Sequence, residues 1–186
     1  MVRLIPAGTA FPCSLCLVLA ETGERAEAQA LLARYTDDPQ AIPHSMNYWI
    51  SLSHLADACA LLGDAERAAL LYARLLPHRA YNIVGPGCSL HAGPTEYFLG
   101  GLALAMGQAE RAAEHFAAAI AACMAFGAIG WRARSELGAA RAWLARGDRT
   151  RGAEHLRAAL AIATASGSTA VAAAARALGA DAGVEN

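Results

Sequence analysis

Three groups of residues in this sequence have side chains that carry chemistry in proteins, and the first is the cysteine pair Cys13-x-x-Cys16. This spacing serves redox or metal chemistry when a second pair, or histidines at ligand spacing, accompanies it. Neither follows here. We therefore expect both thiols to be small apolar residues that pack on one helix.

The second group consists of two glutamate–histidine pairs, Glu114-His115 and Glu154-His155, each at the same distance after a recurring glycine. A metal site would need both histidines on one ion, with Zn–N bonds of about 2.0 Å. We expect instead that both lie on the outer face of equivalent helices, about 10 Å apart. The sequence thus predicts no metal and no cofactor.

The third group, Cys88, His91 and Asp57, has the residue types of a cysteine nucleophile with its base. A thiol needs a neighbouring base to react, and nothing in the spacing provides that geometry. All 15 basic residues are arginine, so a Walker A phosphate loop and a lysine Schiff base are excluded. Of three functional hypotheses, we therefore rank an enzyme behind an interaction module and a small-ligand sensor.

The composition predicts an all-α protein. Alanine supplies 48 of the 186 residues and aromatic side chains only 6 %, a balance that favours helices over sheets. The net charge of −1 gives no electrostatic signature of direct nucleic-acid or membrane binding. No run reaches the ~18 apolar residues of a membrane span. Five irregularly spaced cysteines and no targeting segment predict a cytoplasmic protein.

Four similar phrases recur along the chain, each around a glycine: Gly23, Gly63, Gly107 and Gly147. Five residues later comes a small residue, and four residues after that a large one, as in Ala112 and Phe116. Each glycine predicts a helix end in the left-handed conformation. Asp64 and Asp148 then cap the next helix. The small residues allow two helices to approach closely, so each phrase predicts a helix hairpin that must stack on its neighbours.

We therefore predict four hairpins, at about 10–36, 46–78, 94–127 and 128–167, with a terminal helix at 168–180. The expected helices are 10–22, 24–35, 46–62, 64–77, 94–106, 108–126, 128–146, 148–166 and 168–179. Residues 78–93 form a long loop in this interpretation. The whole of 1–186 is then one repeat domain, a right-handed α-solenoid.

The pattern resembles the tetratricopeptide repeat, whose signature is L-G-x-x-Y…A-x-x-x-F-x-x-A. The third repeat matches it at Leu99, Gly100, Ala112, Phe116 and Ala119, with Ala103 in place of the tyrosine. The spacing of about 40 residues and the LGDAERAA phrase are similar to the repeat region of large bacterial regulators of the MalT-like, LuxR-type and cyclase-linked kind. This resemblance implies a non-catalytic module that binds a protein or peptide partner. The nucleotide-binding or DNA-binding domain of such a regulator is one partner of this kind.

In tetratricopeptide arrays the first helix of each hairpin lines a concave groove. Register then selects the candidate groove residues Ser53, Asp57, Tyr97, Arg134 and Arg141. Two arginines on one helix face suit a carboxylate-bearing ligand. The alternative is that all five are ordinary solvated residues. An open groove would favour a peptide binder, and a closed pocket near 78–93 would favour a sensor.

Five further side chains bear on packing or on partners. Trp49 and Trp131 fall near helix starts, where they are either binding contacts or edge packing. Trp143 is expected in the core. The first helix carries more apolar residues than its neighbours can cover, Phe11 and Val18 among them. We therefore predict that the N-terminal end packs on a second copy or on another domain.

Overall fold

A computed structural model describes residues 10–38, 40–42, 44–85, 87 and 89–183 of this chain. The described residues form nine α-helices, one 3₁₀ turn and a short hairpin of two strands, so the all-α prediction is confirmed. The chain divides into two compact units, Met1–Gly107 and Gln108–Asn186. One continuous repeat domain over 1–186 stays a prediction.

The described part of the first unit contains five α-helices. These are α1 (Phe11–Thr22), α2 (Arg25–Thr36), α3 (Tyr48–Leu62), α4 (Ala65–Leu75) and α5 (Thr95–Ala105). Helix α3 is central, because it packs on α1, α2, α4 and α5. Its buried side chains account for this position: Leu52 and Leu55 are fully buried, and Ala56 and Ala58 leave room for neighbouring helices.

A β-hairpin occupies part of the segment that the sequence predicted as a loop. Strand β1 (Asn82–Val84) pairs antiparallel with β2 (His91–Pro94), with an irregularity between Ile83 and Val84. Ile83 is 3 % exposed, and β1 packs against α3. A 3₁₀ turn, Leu76–His78, joins α4 to this hairpin. The strands are short, and burial of Ile83 rather than their own length accounts for their stability.

The second unit consists of α6 (Ala109–Phe126), α7 (Ile129–Ala145), α8 (Arg149–Ala165) and α9 (Thr169–Ala182). Helix α7 packs on the other three. Its Leu137 and Ala140 form a core with Leu156 and Ala159 of α8 and Ala175 of α9. Alanine dominates this core, and its small side chain permits the close helix spacing that the repeat pattern predicted.

The predicted helices agree with the observed ones to within three residues at each end. The four repeat glycines all adopt positive φ, between 69° and 93°. Asp64 and Asp148 accept hydrogen bonds from the backbone N–H groups of Arg67 and Arg151, at 3.1 and 3.0 Å. Both predicted caps are therefore confirmed. The small repeat residues are buried, as expected for sites of helix contact.

The sequence predicted that some apolar side chains of the first helix remain uncovered, and the structure agrees with this in part. Phe11 is 60 % and Val18 50 % exposed, whereas Cys13 and Cys16 are buried on the same helix. Trp143, expected in the core, is half-buried instead. The guanidinium groups of Arg146 and Arg151 lie over its ring, at 4.4 and 4.3 Å from the ring centroid.

Within the described part of the chain, no helix combines the length and the hydropathy that a membrane crossing requires.

Candidate functional site

A surface cleft of about 400 Å³ lies in the first unit. It is bounded by the segment that precedes α3, by the first turn of α3, and by the end of α4 with the 3₁₀ turn. The described residues that line it are His44, Ser45, Tyr48, Trp49, Arg74 and His78. Four of these six side chains carry rings: Tyr48 and Trp49, from a chain with only 6 % aromatic residues, and two of its six histidines.

One wall of the cleft is formed where α3 begins. The backbone N–H of Tyr48 donates to the carbonyl of Ser45 at 3.0 Å, and the N–H of Asn47 donates to the Ser45 hydroxyl at 3.2 Å. These bonds fold the chain tightly before the helix. The ring of His44 then stacks on that of Tyr48, with centroids 4.5 Å apart and planes 22° apart.

The opposite wall is formed where α4 ends. Arg74 reaches back to α2, where its Nη2 donates to the Thr36 carbonyl at 3.0 Å. Pro77 lies within the 3₁₀ turn, and the His78 side chain meets Trp49 edge-on, with ring centroids 4.4 Å apart. Trp49 therefore links the two walls, because its ring also contacts Tyr48 edge-on at 5.2 Å.

The charge of the lining is one-sided. It contains the guanidinium of Arg74 and the imidazole rings of His44 and His78, and none of the six residues is a carboxylate. Arginine presents five N–H donors, of which the bond to Thr36 uses one. The cleft can thus pack a flat apolar group against its rings and accept negative charge at Arg74.

The first unit holds three of the five predicted groove residues, and none of them lines the cleft. Ser53 is 1 % exposed, and its hydroxyl donates to the Ile50 carbonyl at 2.9 Å. Its expected exposure in a groove was therefore wrong, because a serine inside a helix bonds back to the preceding turn. Asp57 is half-buried. Tyr97 is also half-buried, with its ring edge-on to Phe98 at 5.2 Å.

The second unit holds the two predicted arginines, both on α7. Arg134 is half-buried, with its guanidinium over the ring of Trp131 at 4.9 Å. Arg141 is exposed. Their role as ligand contacts stays a prediction. Trp131 was a candidate contact, and its ring packs under Arg134.

The two histidines of the repeat pairs do not share one outer face. His115 is 7 % exposed, so its expected outward position was wrong. Nδ1 of His155 lies 2.7 Å from Oε2 of the buried Glu136, whose Oε1 is 3.8 Å from Nε of Arg132. A buried carboxylate needs polar partners in place of water, and Arg132 on α7 and His155 on α8 supply them. Among the described residues, no three metal-ligating side chains come together.

The described cysteines are poorly suited to nucleophilic chemistry. Burial raises the pKa of Cys13 to about 11 and those of Cys16 and Cys59 to about 12, and it also raises the pKa of Cys123. These thiols are protonated and inert near neutral pH. The interpretation of Cys13 and Cys16 as packed helix residues is confirmed.

Cys88 lies outside the described residues. Its suggested partner His91 has Nε2 3.2 Å from the Asn82 side-chain oxygen, across the hairpin. Sequence reasoning singled out Trp49 among the cleft residues and missed the other five. The available signal was the clustering of ring-bearing residues around the start of α3, in HSMNYW, and just after α4, in PHRAY.

No known protein family, curated protein or solved structure matches the chain. The resemblance to the tetratricopeptide repeat and to bacterial regulators therefore remains a prediction from the sequence motifs.

Proposed function

We propose that this protein is a non-catalytic interaction module that binds a segment of a partner protein in the cleft of the first unit. The observation that carries the proposal is the convergence of Trp49, His78, Tyr48 and His44 with one arginine on a surface cleft. Tryptophan, tyrosine and arginine dominate the energetics of protein interfaces, because they combine a large contact area with directed polar groups.

The repeat architecture supports this proposal. Hairpins whose first helix ends at a left-handed glycine and that pack through buried small residues are the units of helical repeat proteins, which commonly act as binding scaffolds. Within the first unit, α3 packs on both α1 and α5, so equivalent helices of successive hairpins are neighbours. A right-handed solenoid of tetratricopeptide type, in a cytoplasmic bacterial signalling or transcription regulator, is the finer form of the proposal.

The chemistry of the cysteines supports the non-catalytic part of the proposal. Cys13, Cys16, Cys59 and Cys123 are buried, with raised pKa values, so none of the four supplies a thiolate near neutral pH. The carboxylate of the buried Glu136 on α7 pairs with the imidazole of His155 on α8. These polar groups therefore serve packing between helices.

A small-ligand sensor is the second candidate, and the size of the cleft favours it. Ligand sites commonly measure about 300–1,000 Å³, so the cleft lies at the lower end of that range. Its position next to His78 also agrees with the pocket expected near 78–93. The lining residues are half-buried or exposed, however, and this accessibility suits an incoming protein segment better than an enclosed effector.

A random peptide library, displayed on phage through the amino terminus so that every peptide keeps a free carboxyl terminus, tests the two candidates. Selected peptides should bind the purified chain with micromolar dissociation constants by calorimetry. Trp49→Ala should weaken this binding at least tenfold, since loss of a hot-spot tryptophan commonly costs more than about 1.4 kcal/mol. The matched control is Trp131→Ala, which removes a half-buried tryptophan from the start of α7 in the other unit.

Equal loss of affinity in both tryptophan variants would move the site away from the cleft. If the library returned no binder, while small molecules raised the melting temperature in a Trp49-dependent way, the sensor hypothesis would replace the interaction module.

A further inference from the structure

We infer that the cleft recognises the carboxyl-terminal residue of its partner, and that this residue is aromatic. The inference rests on the proposed function, because it names the ligand chemistry of the same cleft. The features that support it are the one-sided charge, the fixed rings and the small volume of the site.

The charge of the lining selects an anion. Among the described lining residues Arg74 is the cation, and the others add two imidazoles, a hydroxyl and two aromatic rings. A guanidinium binds a carboxylate in a forked arrangement of parallel hydrogen bonds, which is stronger and more directional than a bond to a neutral acceptor. The bond from Nη2 to the Thr36 carbonyl at 3.0 Å already holds the Arg74 side chain in place. Less conformational entropy is therefore lost when a ligand binds.

The rings of the lining select a flat apolar group. His44 is fixed by stacking on Tyr48, Tyr48 by its edge contact with Trp49, and Trp49 by its contact with His78. An aromatic side chain that enters this set gains edge-to-face or stacked contacts of about 0.5–1.5 kcal/mol each beyond its burial. A preformed wall of this kind favours one rigid ring over a flexible aliphatic chain.

The volume limits how the ring and the anion can be connected. A cleft of about 400 Å³ is near the lower end of the range for ligand sites and accommodates about one or two residues rather than a longer run. A carboxyl-terminal phenylalanine, tyrosine or tryptophan carries both its ring and a free carboxylate within that single residue. An internal segment would need two side chains, one aromatic and one acidic, in the same space.

Three short peptides test this inference on the full chain labelled with ¹⁵N. They are acetyl-Gly-Gly-Phe with a free carboxylate, the same peptide as its carboxamide, and acetyl-Gly-Gly-Ala with a free carboxylate. The readout is the indole N–H resonance of Trp49, assigned with Trp49→Phe. The free-acid phenylalanine peptide should shift this resonance saturably, and the other two should bind about tenfold more weakly, as expected for loss of one charge-assisted pair or one ring.

Variants of Arg74 separate recognition from folding. Arg74→Gln should make the acid and the amide bind equally. Arg74→Lys retains a positive charge but loses the guanidinium fork, so it should keep only part of the preference for the acid. The matched control is Arg34→Gln, an exposed position on α2 outside the cleft lining, which should leave both affinities unchanged. Far-UV circular dichroism verifies that each variant is folded.

Two outcomes would overturn the inference while the proposed function stands. Peptides selected from the library could depend on Trp49 and show no preference for a free carboxyl-terminal residue, or the carboxamide peptide could bind as tightly as the acid. Free phenylacetate that binds saturably where all three peptides fail would overturn both the inference and the interaction module in favour of a small-ligand site.

Discussion

Replacing Gly138 with alanine tests how closely α6 packs on α7. A Cβ at this position would lie less than 3.0 Å from three atoms of the Phe116 ring, which belongs to a side chain that is only 2 % exposed. Either the ring or the helix must then move. Overpacking of a core costs about 1–3 kcal/mol. Alanine recovers about 0.5–1 kcal/mol relative to glycine inside a helix. The expected result is a net destabilisation of about 1 kcal/mol, and of at most about 2.5 kcal/mol.

Urea denaturation followed by far-UV circular dichroism measures this loss. Gly130→Ala is the matched control, because it lies in the same helix and its added Cβ would meet no atom within 4 Å. This variant should be as stable as the parent or slightly more stable. In a double-mutant cycle, Phe116→Leu should relieve part of the cost of Gly138→Ala, since a smaller side chain vacates the space. If Gly138→Ala were as stable as Gly130→Ala, the close contact between α6 and α7 would be refuted.

Three further predictions concern local features. Gly107→Val should cost about 1–2 kcal/mol in thermal melts, because φ is 72° there and a β-branched residue is strained in that region, whereas Gly107→Asn should cost less. Burial lowers the pKa of His54, whose Nδ1 lies 2.9 Å from the Ser14 hydroxyl. The unfolded chain then binds more protons, so stability should decline as the pH falls below about 6.5, and His54→Gln should flatten that decline. Asp64→Ala should cost about 1 kcal/mol at neutral pH. Burial of Asp64 opposes its ionisation, but hydrogen bonds from Arg67 outweigh burial and lower the pKa of Asp64 below 3.8. The stabilisation by Asp64 is therefore present above pH 4 and is lost as the pH falls through the lowered pKa, so urea titrations near pH 2 should show parent and variant converging.

The helices of this protein could be predicted because their limits are fixed by local interactions. At the boundary between α3 and α4, Gly63 adopts φ of 69°, and its N–H donates to the Cys59 carbonyl. The Asp64 side chain then caps α4 one residue later. Both interactions involve residues within five positions of each other, so the order of residue types is enough to predict them. The same reasoning holds at Gly147 and Asp148.

The burial of individual polar residues could not be predicted in the same way. His115 and His155 hold the same repeat position, yet His115 is buried and His155 remains about 29 % exposed beside Glu136. Ser53 occupies a position assigned to a groove and is turned back onto its own helix. Equivalent positions have different neighbours in different repeats, and the neighbours decide which side chains keep their access to water.

The sequence by itself determined the helices, their caps and the small residues at which they touch, because each depends on residues adjacent in the chain or on one helix face. Only the tertiary structure decided the candidate site. The cleft joins His44 and Trp49, at the start of α3, to Arg74 and His78, some thirty residues later. The packing of α3 against α4, together with the bond from Arg74 to α2, holds these two segments together. The sequence pattern of either segment alone does not predict that the two segments are neighbours, because the packing of the helices sets the distance between them.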